Sequence, residues 1–245
     1  MNSRRYDILL LAAGLLVCWE IFYLLAGEDV ISSPSATIIR ALALLQTHNF
    51  WHDALSTWTA FAYACVIGIV GGLSFGLGLG LNRFAGDVAD PILGTVYAIP
   101  KITLYPIILL IFGLSPAAQV AFGVIHGIFP VAIFTMNAVR NVAPVHRRTA
   151  KVLRLSPLAT VATVLAPAAI PEMLAGIRIG IAVTLLGILI GELFASSSGI
   201  GFALIRAMEI HDVVDIFALT LLLFLFAVAI NSLLHATERR VSHEV

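Results

Sequence analysis

What most constrains this chain is a succession of apolar runs, each long enough to cross a bilayer, near Ile8–Ala26, Thr57–Leu81, Val88–Phe112, Pro116–Ala138, Glu172–Ala195 and Val213–His235. A bilayer core offers no water to backbone N–H and C=O groups, so runs of this length must close their own hydrogen bonds as helices. The balance of 60% hydrophobic to 11% charged residues, with a mean hydropathy of +1.02, excludes an ordinary soluble domain. At roughly 20 residues per crossing, the chain accommodates six spans and their loops. The expected fold is therefore all-α and polytopic, one transmembrane domain over residues 1–245 with six transmembrane helices and a core at 57–236. Arg4-Arg5 followed by the first apolar run has the look of a secretion signal, but the run is longer than a cleavable one and is expected to remain as a helix.

Charge placement sets the expected orientation. With the N-terminus in the cytoplasm, Arg4, Arg5, Arg83, Arg140, Arg147, Arg148, Lys151, Arg154, Arg239 and Arg240 fall inside, and only Arg40 and Arg206 fall outside. The formal net charge is zero, which gives no electrostatic case for a nucleic-acid partner. Cys18 and Cys65 lie in apolar runs without metal-ligand spacing and read as small core residues.

One polar stretch, residues 141–171, is dense in positive charge and is the expected cytoplasmic loop. Pro144 suits a first helical position, and Val145, Thr149, Val152 and Leu153 then share a face opposite Arg147, Lys151 and Arg154. Ser156 and Pro157 open a second short helix, expected to stop before Pro167. Two short helices against a membrane face follow, a basic loop touching anionic headgroups. On the outer side, Ser33-Pro34 starts an amphipathic helix over Pro34–Leu45 within the polar loop Gly27–Ser56.

Within the spans, Ala60, Ala64, Gly68, Gly72, Gly76 and Gly80 recur every fourth residue and form a ridge on which another helix can pack closely. Pro100 and Pro106 break the third span around Lys101, Thr103 and Tyr105. A lysine in a span costs about 3 kcal/mol on insertion scales, so Lys101 should meet a passing anion, snorkel, or pair with Glu192. His126 and Asn137 are polar at depth, His126 expected to bond across helices. Glu192 precedes a turn, Ser196-Ser197-Ser198-Gly199-Ile200-Gly201, that should break the fifth helix. Lys101, Thr103, Tyr105, His126, Glu192 and Ser198 are thus the candidates for the translocation path.

Several familiar catalytic signatures are missing. Lys101 follows Pro100 and Lys151 follows Ala150, so the chain has no Gly-Lys pair for a P-loop. It also lacks H-E-x-x-H and Cys-x-x-Cys, and no nucleophile-and-base pair for an intramembrane enzyme stands out, so an enzyme is not the expectation.

Thr149-Ala150, Ser156, Val164-Leu165-Ala166-Pro167-Ala168-Ala169-Ile170-Pro171 and Gly176-Ile177-Arg178 together resemble the EAA loop of binding-protein-dependent ABC importer permeases. Ser33-Pro34-Ser35, Ala98-Ile99-Pro100-Lys101 through Phe112-Gly113, and Gly191-Glu192 with Ser198-Gly199-Ile200-Gly201 are similar to the sulfonate, taurine and nitrate branch. The resemblance covers nearly all of the chain. It implies the type I ABC importer permease fold, with a cytoplasmic coupling helix gripped by separate ATPase subunits. Arg147, Arg148, Thr149, Ala150, Lys151, Arg154, Leu155 and Ser156 would then carry the coupling. It further implies a second permease subunit, a periplasmic or lipid-anchored substrate-binding protein, a bacterial inner-membrane setting, and no cofactor on the chain itself, Mg-ATP being held by the ATPase. The solute would be a small anion such as a sulfonate, taurine, nitrate or an aromatic carboxylate, with a thiamine-precursor pyrimidine as an alternative. Two residues depart from the family pattern, Arg148 at a usual glutamate and Arg154 at a usual glycine. Positive φ costs an arginine roughly 1 kcal/mol or more, and the departures suggest a partner permease with a more regular loop. The competing reading is a secondary transporter or channel in which Lys101, His126 and Glu192 bind ion or substrate without an ATPase.

Overall fold

The computed structural model describes residues 2–244, and among them every regular element is helical. Two compact units are distinguishable, one made of Met1–Ser56 and Ser197–Phe226, the other of Thr57–Ser196 and Ala227–Val245. Helices α3 (His48–Leu81) and α11 (Val213–Glu244) contribute to both.

In the first unit, α1 (Asn2–Ala26) stops at Gly27, whose φ of +86° a side chain would strain. Trp19 stacks on Phe217 at 5.9 Å between centroids, and its indole N–H donates to the Ser32 carbonyl at 2.9 Å. Helix α2 (Pro34–Leu44) begins as expected, with the Ser33 hydroxyl accepting from the Ala36 N–H at 3.2 Å. Arg40 on α2 grips the Asp215 carboxylate on α11 through two nitrogens, which raises the Arg40 pKa above its ordinary value. Ala54, Ile200, Ala207 and Leu219 form the apolar centre of this unit. The polar loop Gly27–Ser56 is shorter than its polarity suggested. The Thr47 hydroxyl accepts from the Phe50 N–H at 3.3 Å and α3 starts at His48, where His48 and Asn49 are exposed on the first turn, so their polarity does not require a loop.

The second unit is centred on α6 (Pro116–Arg140), buried along most of its length. The glycine ridge of α3 packs on one side of it. A Cβ added at Gly72 would lie 2.6 Å from Val131 Cβ, one at Gly76 2.5 Å from the Ala132 carbonyl, and one at Gly80 2.9 Å from the Met136 carbonyl. The seam expected from sequence is therefore present. A second seam joins α6 to α9 (Ala166–Ala195), where Gly180 meets Val131 at 2.5 Å and Gly187 meets His126 at 2.8 Å by the same measure.

The third apolar run is no straight span. Helix α4 (Arg83–Ala98), capped by Asn82, is followed at Pro100 by a 3₁₀ turn over Lys101–Leu104 and then by α5 (Tyr105–Phe112), and the two halves bend by 84°. Pro106 opens α5 rather than breaking it, since the first turn of a helix needs no N–H there.

Beyond α6 come α7 (Pro144–Val152) and α8 (Pro157–Thr160). The expected stop before Pro167 does not occur. A π turn over Val161–Leu165 carries α8 directly into α9, which runs through Pro167 and Pro171. A widened turn makes room for a proline ring and the carbonyl it cannot satisfy. Helix α9 ends at Ala195, and Gly199 with φ +115° leads into α10 (Ile200–Glu209), so the glycine-rich turn does break the helix. Among the described residues, four helices are long and apolar enough to cross a membrane, and the bent pair makes a fifth if it is one span. The described apolar part of α1, Leu10–Ala26, falls short of that length.

Candidate functional site

Polar side chains at depth in the second unit converge on the end of α9. Glu192 is fully buried, and its Oε2 accepts a hydrogen bond from the Thr57 hydroxyl of α3 at 3.0 Å. One residue earlier, the Gly191 carbonyl accepts from the Tyr105 hydroxyl of α5 at 2.6 Å. On α6, the Gln119 amide donates to the Ser196 hydroxyl at 2.8 Å. Three helices are thus pinned to α9 through polar contacts that lipid cannot replace, each costly to leave unmade. Tyr105 also stands edge-on to Phe122 at 4.7 Å, and Phe122 edge-on to His126 at 4.5 Å, so the cluster has an aromatic floor.

Of the expected path residues, Tyr105, His126 and Glu192 belong to this packed region, each with a role the sequence did not specify. His126 Nδ1 lies 2.8 Å from the Phe122 carbonyl one turn back, not across helices as expected, because Gly187 brings the α9 backbone too close for a partner side chain. Since a carbonyl only accepts, Nδ1 carries the proton. Lys101 does not pair with Glu192. Its ammonium donates to the Tyr97 carbonyl at 2.9 Å and sits 4.3 Å from the Tyr97 ring centre, since the bend at Pro100 frees that carbonyl and turns the lysine back over α4. Thr103 donates to the Pro100 carbonyl at 2.7 Å and serves the same bend. Ser198 belongs to the other unit, where its hydroxyl lies 2.9 Å from that of Ser56 and the Gly199 N–H donates to Asp53 at 3.0 Å. Gln119 and Thr57 escaped the sequence reading, although a glutamine in the first turns of an apolar helix was a visible signal. Among the described residues, no group of His, Cys, Asp or Glu could hold a metal ion.

The basic loop forms a compact elbow. Helix α7 ends at Val152, and Arg154 takes φ +52°, the left-handed conformation that suits the family's glycine. The Leu155 N–H then donates to the Ala150 carbonyl at 3.0 Å, closing the helix end despite the arginine. Arg154 therefore belongs to the turn and not to a helix face, which corrects its expected position. Ala150 is buried, while Val145, Val152 and Leu153 are exposed at 61, 81 and 62% and Thr149 is exposed beside them. The Ser156 hydroxyl accepts from the Ala159 N–H at 3.2 Å, the expected cap. Arg148 is exposed, and the side chains of Arg147 and Lys151 lie outside the described residues.

Apolar helices sewn together by glycine seams, a proline-bent hairpin and a short helix with an uncovered apolar face define an all-helical membrane permease. Residues 68–243 match the family of binding-protein-dependent transport system inner membrane components, and the chain belongs to that family, the permease subunits of ABC importers. It is 29% identical over 223 residues to a probable ABC transporter permease protein of Haemophilus influenzae, covering 91% of each chain. It is 27% identical to the putative aliphatic sulfonates transport permease protein SsuC of Bacillus subtilis, over 95% of this chain and 85% of that one. The taurine transport system permease protein TauC of Escherichia coli is 25% identical over 95% of this chain and 86% of its own length. Among solved structures, the inward-facing MetNI methionine ABC transporter superposes with a TM-score of 0.67 at 18% identity, over 76% of this chain and 93% of that chain. An amino acid ABC transporter gives 0.60 at 22% identity, over 77% and 92%. These likenesses establish the fold.

Proposed function

We propose that this permease crosses the inner membrane six times with both termini in the cytoplasm, and that α7 is the helix through which separate ATPase subunits drive it. Two permease subunits, alike or different, form the path, and a periplasmic or lipid-anchored binding protein delivers the solute to its outer end. One observation carries the reading: α7 hangs between the two long apolar helices α6 and α9 with Val145, Val152 and Leu153 uncovered, although its Ala150 is packed. Such a face lowers its free energy by burial against a partner, by roughly 25 cal/mol per Å² of apolar surface removed from water. ATP binding draws the ATPases together, and the Ala150–Leu155 closure lets α7 transmit that motion as one body. Moving such a switch from 1:99 to 99:1 takes about 5.5 kcal/mol of differential binding.

The solute is a small anion of the sulfonate, taurine or bicarbonate kind, by likeness to relatives named for those cargoes. Selection rests chiefly with the binding protein, and hydrolysis of ATP with the ATPase, the chain itself holding no cofactor. Co-expression of the tagged chain with a candidate ABC ATPase subunit from the same organism tests the reading. The complex is expected to co-purify and to lose the ATPase in Val152→Asp while the permease still elutes as a folded species. Solute uptake by vesicles containing the permease alone would instead establish a secondary transporter.

A further inference from the structure

Where α3 and α6 end together, the second unit opens a cavity of about 560 Å³ lined by Leu81, Arg83, Asp87, Arg140, Asn141 and Arg148, among others. Three arginines and a single aspartate face it. Arg140 is engaged: it pairs with Asp87, lies 3.8 Å from Asp90 and donates to the Gly86 carbonyl at 3.3 Å. Asp87 is thereby occupied. Arg83 and Arg148 have no carboxylate partner among the described residues, and both are exposed. Guanidinium groups gathered at one cavity repel one another unless an anion stands among them. Each offers a planar fork of donors that matches the oxygens of a phosphate. Asn141, on the same wall, adds a neutral amide donor. The depth is equally telling, because Leu81 and Arg140 are the final residues of helices long and apolar enough to cross a membrane, which is where phosphodiester headgroups lie.

We propose that this cavity binds a phosphate group, held by Arg83 and Arg148 with Asn141 as a neutral donor. A lipid headgroup and free phosphate share that chemistry. Because α7 follows three residues after Asn141 and itself supplies Arg148, an occupant ties α7 to the end of α3.

The test uses the full chain purified in detergent and native mass spectrometry, titrating phosphatidylglycerol, diacylglycerol and inorganic phosphate in turn. It needs no ATPase, so its failure is distinct from failure of the proposed coupling. Phosphatidylglycerol, or phosphate if the source is a soluble anion, should stay bound to the wild type at about tenfold or more lower concentration than to R83Q/R148Q. R83K/R148K keeps the charges but loses the forks, and should fall between them. R206Q, which removes a charge from the other unit, should bind like the wild type. Equal retention by the wild type and both double variants overturns the proposal, as does a wild type that holds neither phosphatidylglycerol nor inorganic phosphate more tightly than diacylglycerol, which has no phosphate.

Discussion

Gly76→Ala asks whether the α3–α6 seam holds the second unit together. The added methyl would lie 2.5 Å from the Ala132 carbonyl oxygen and 2.7 Å from Thr135 Cβ. Carbon atoms rest about 3.5–4.0 Å apart, so the helices must part by about 1 Å at that point. The nearest obstacle is backbone, which no rotamer change can move aside. Overpacking of this kind costs about 1–3 kcal/mol. For a chain of 245 residues each kcal/mol moves the unfolding midpoint by about 2–4 °C, which places the expected loss on the order of 2–12 °C. Gly78→Ala, on the same helix, is the matched control: its Cβ meets nothing within 4 Å, and alanine is the better helix former by up to about 1 kcal/mol. Thermal unfolding of the detergent-purified proteins, followed by tryptophan fluorescence, should show Gly76→Ala well below the wild type and Gly78→Ala level with it or above. Equal midpoints for the two variants would refute the seam.

Tyr105→Phe keeps the ring on Phe122 but leaves the Gly191 carbonyl without its donor, and should cost about 1–3 kcal/mol in the same thermal assay; no loss would mean the bond is idle. Arg154→Gly relieves the left-handed residue and should make the backbone amides of α7 exchange more slowly with deuterium, by roughly 1 kcal/mol of protection. Faster exchange would show that the arginine, not the turn, secures the loop. Thr135→Val removes a buried hydroxyl that has no partner among the described residues, so stability should hold or rise by about 1 kcal/mol. A fall would point to a hidden partner.

Much of the architecture was legible from local rules. The four-residue recurrence from Ala60 to Gly80 marks a helix-packing face whatever the fold, and Ser33-Pro34 and Ser156-Pro157 cap helices by chemistry confined to one turn. The glycine-rich turn between Ala195 and Ile200 separates α9 from α10 as its composition suggested. What stayed hidden depends on neighbours. Pro167 looks like a stop until a π turn one step earlier accommodates its ring, and no pattern in Val161–Leu165 announces that turn. Lys101 and Glu192 looked like complementary charges at depth, but the 84° bend at Pro100 directs the lysine to Tyr97, while the carboxylate finds Thr57. The second seam was legible and overlooked, since Gly176, Gly180, Gly187 and Gly191 recur on one face of α9. In the site, a residue's polarity told where a hydrogen bond was needed, and only the packed helices decided with whom.

The central claim is that α7 is a handle held by a separate motor. Val152→Cys, on the most exposed apolar position of that helix, can be cross-linked in native membranes containing the co-expressed ATPase, with and without nucleotide. The account predicts a permease–ATPase adduct whose yield changes when ATP is bound. A cysteine there that reacts only with lipid-soluble reagents, and yields no adduct in either state, would contradict it.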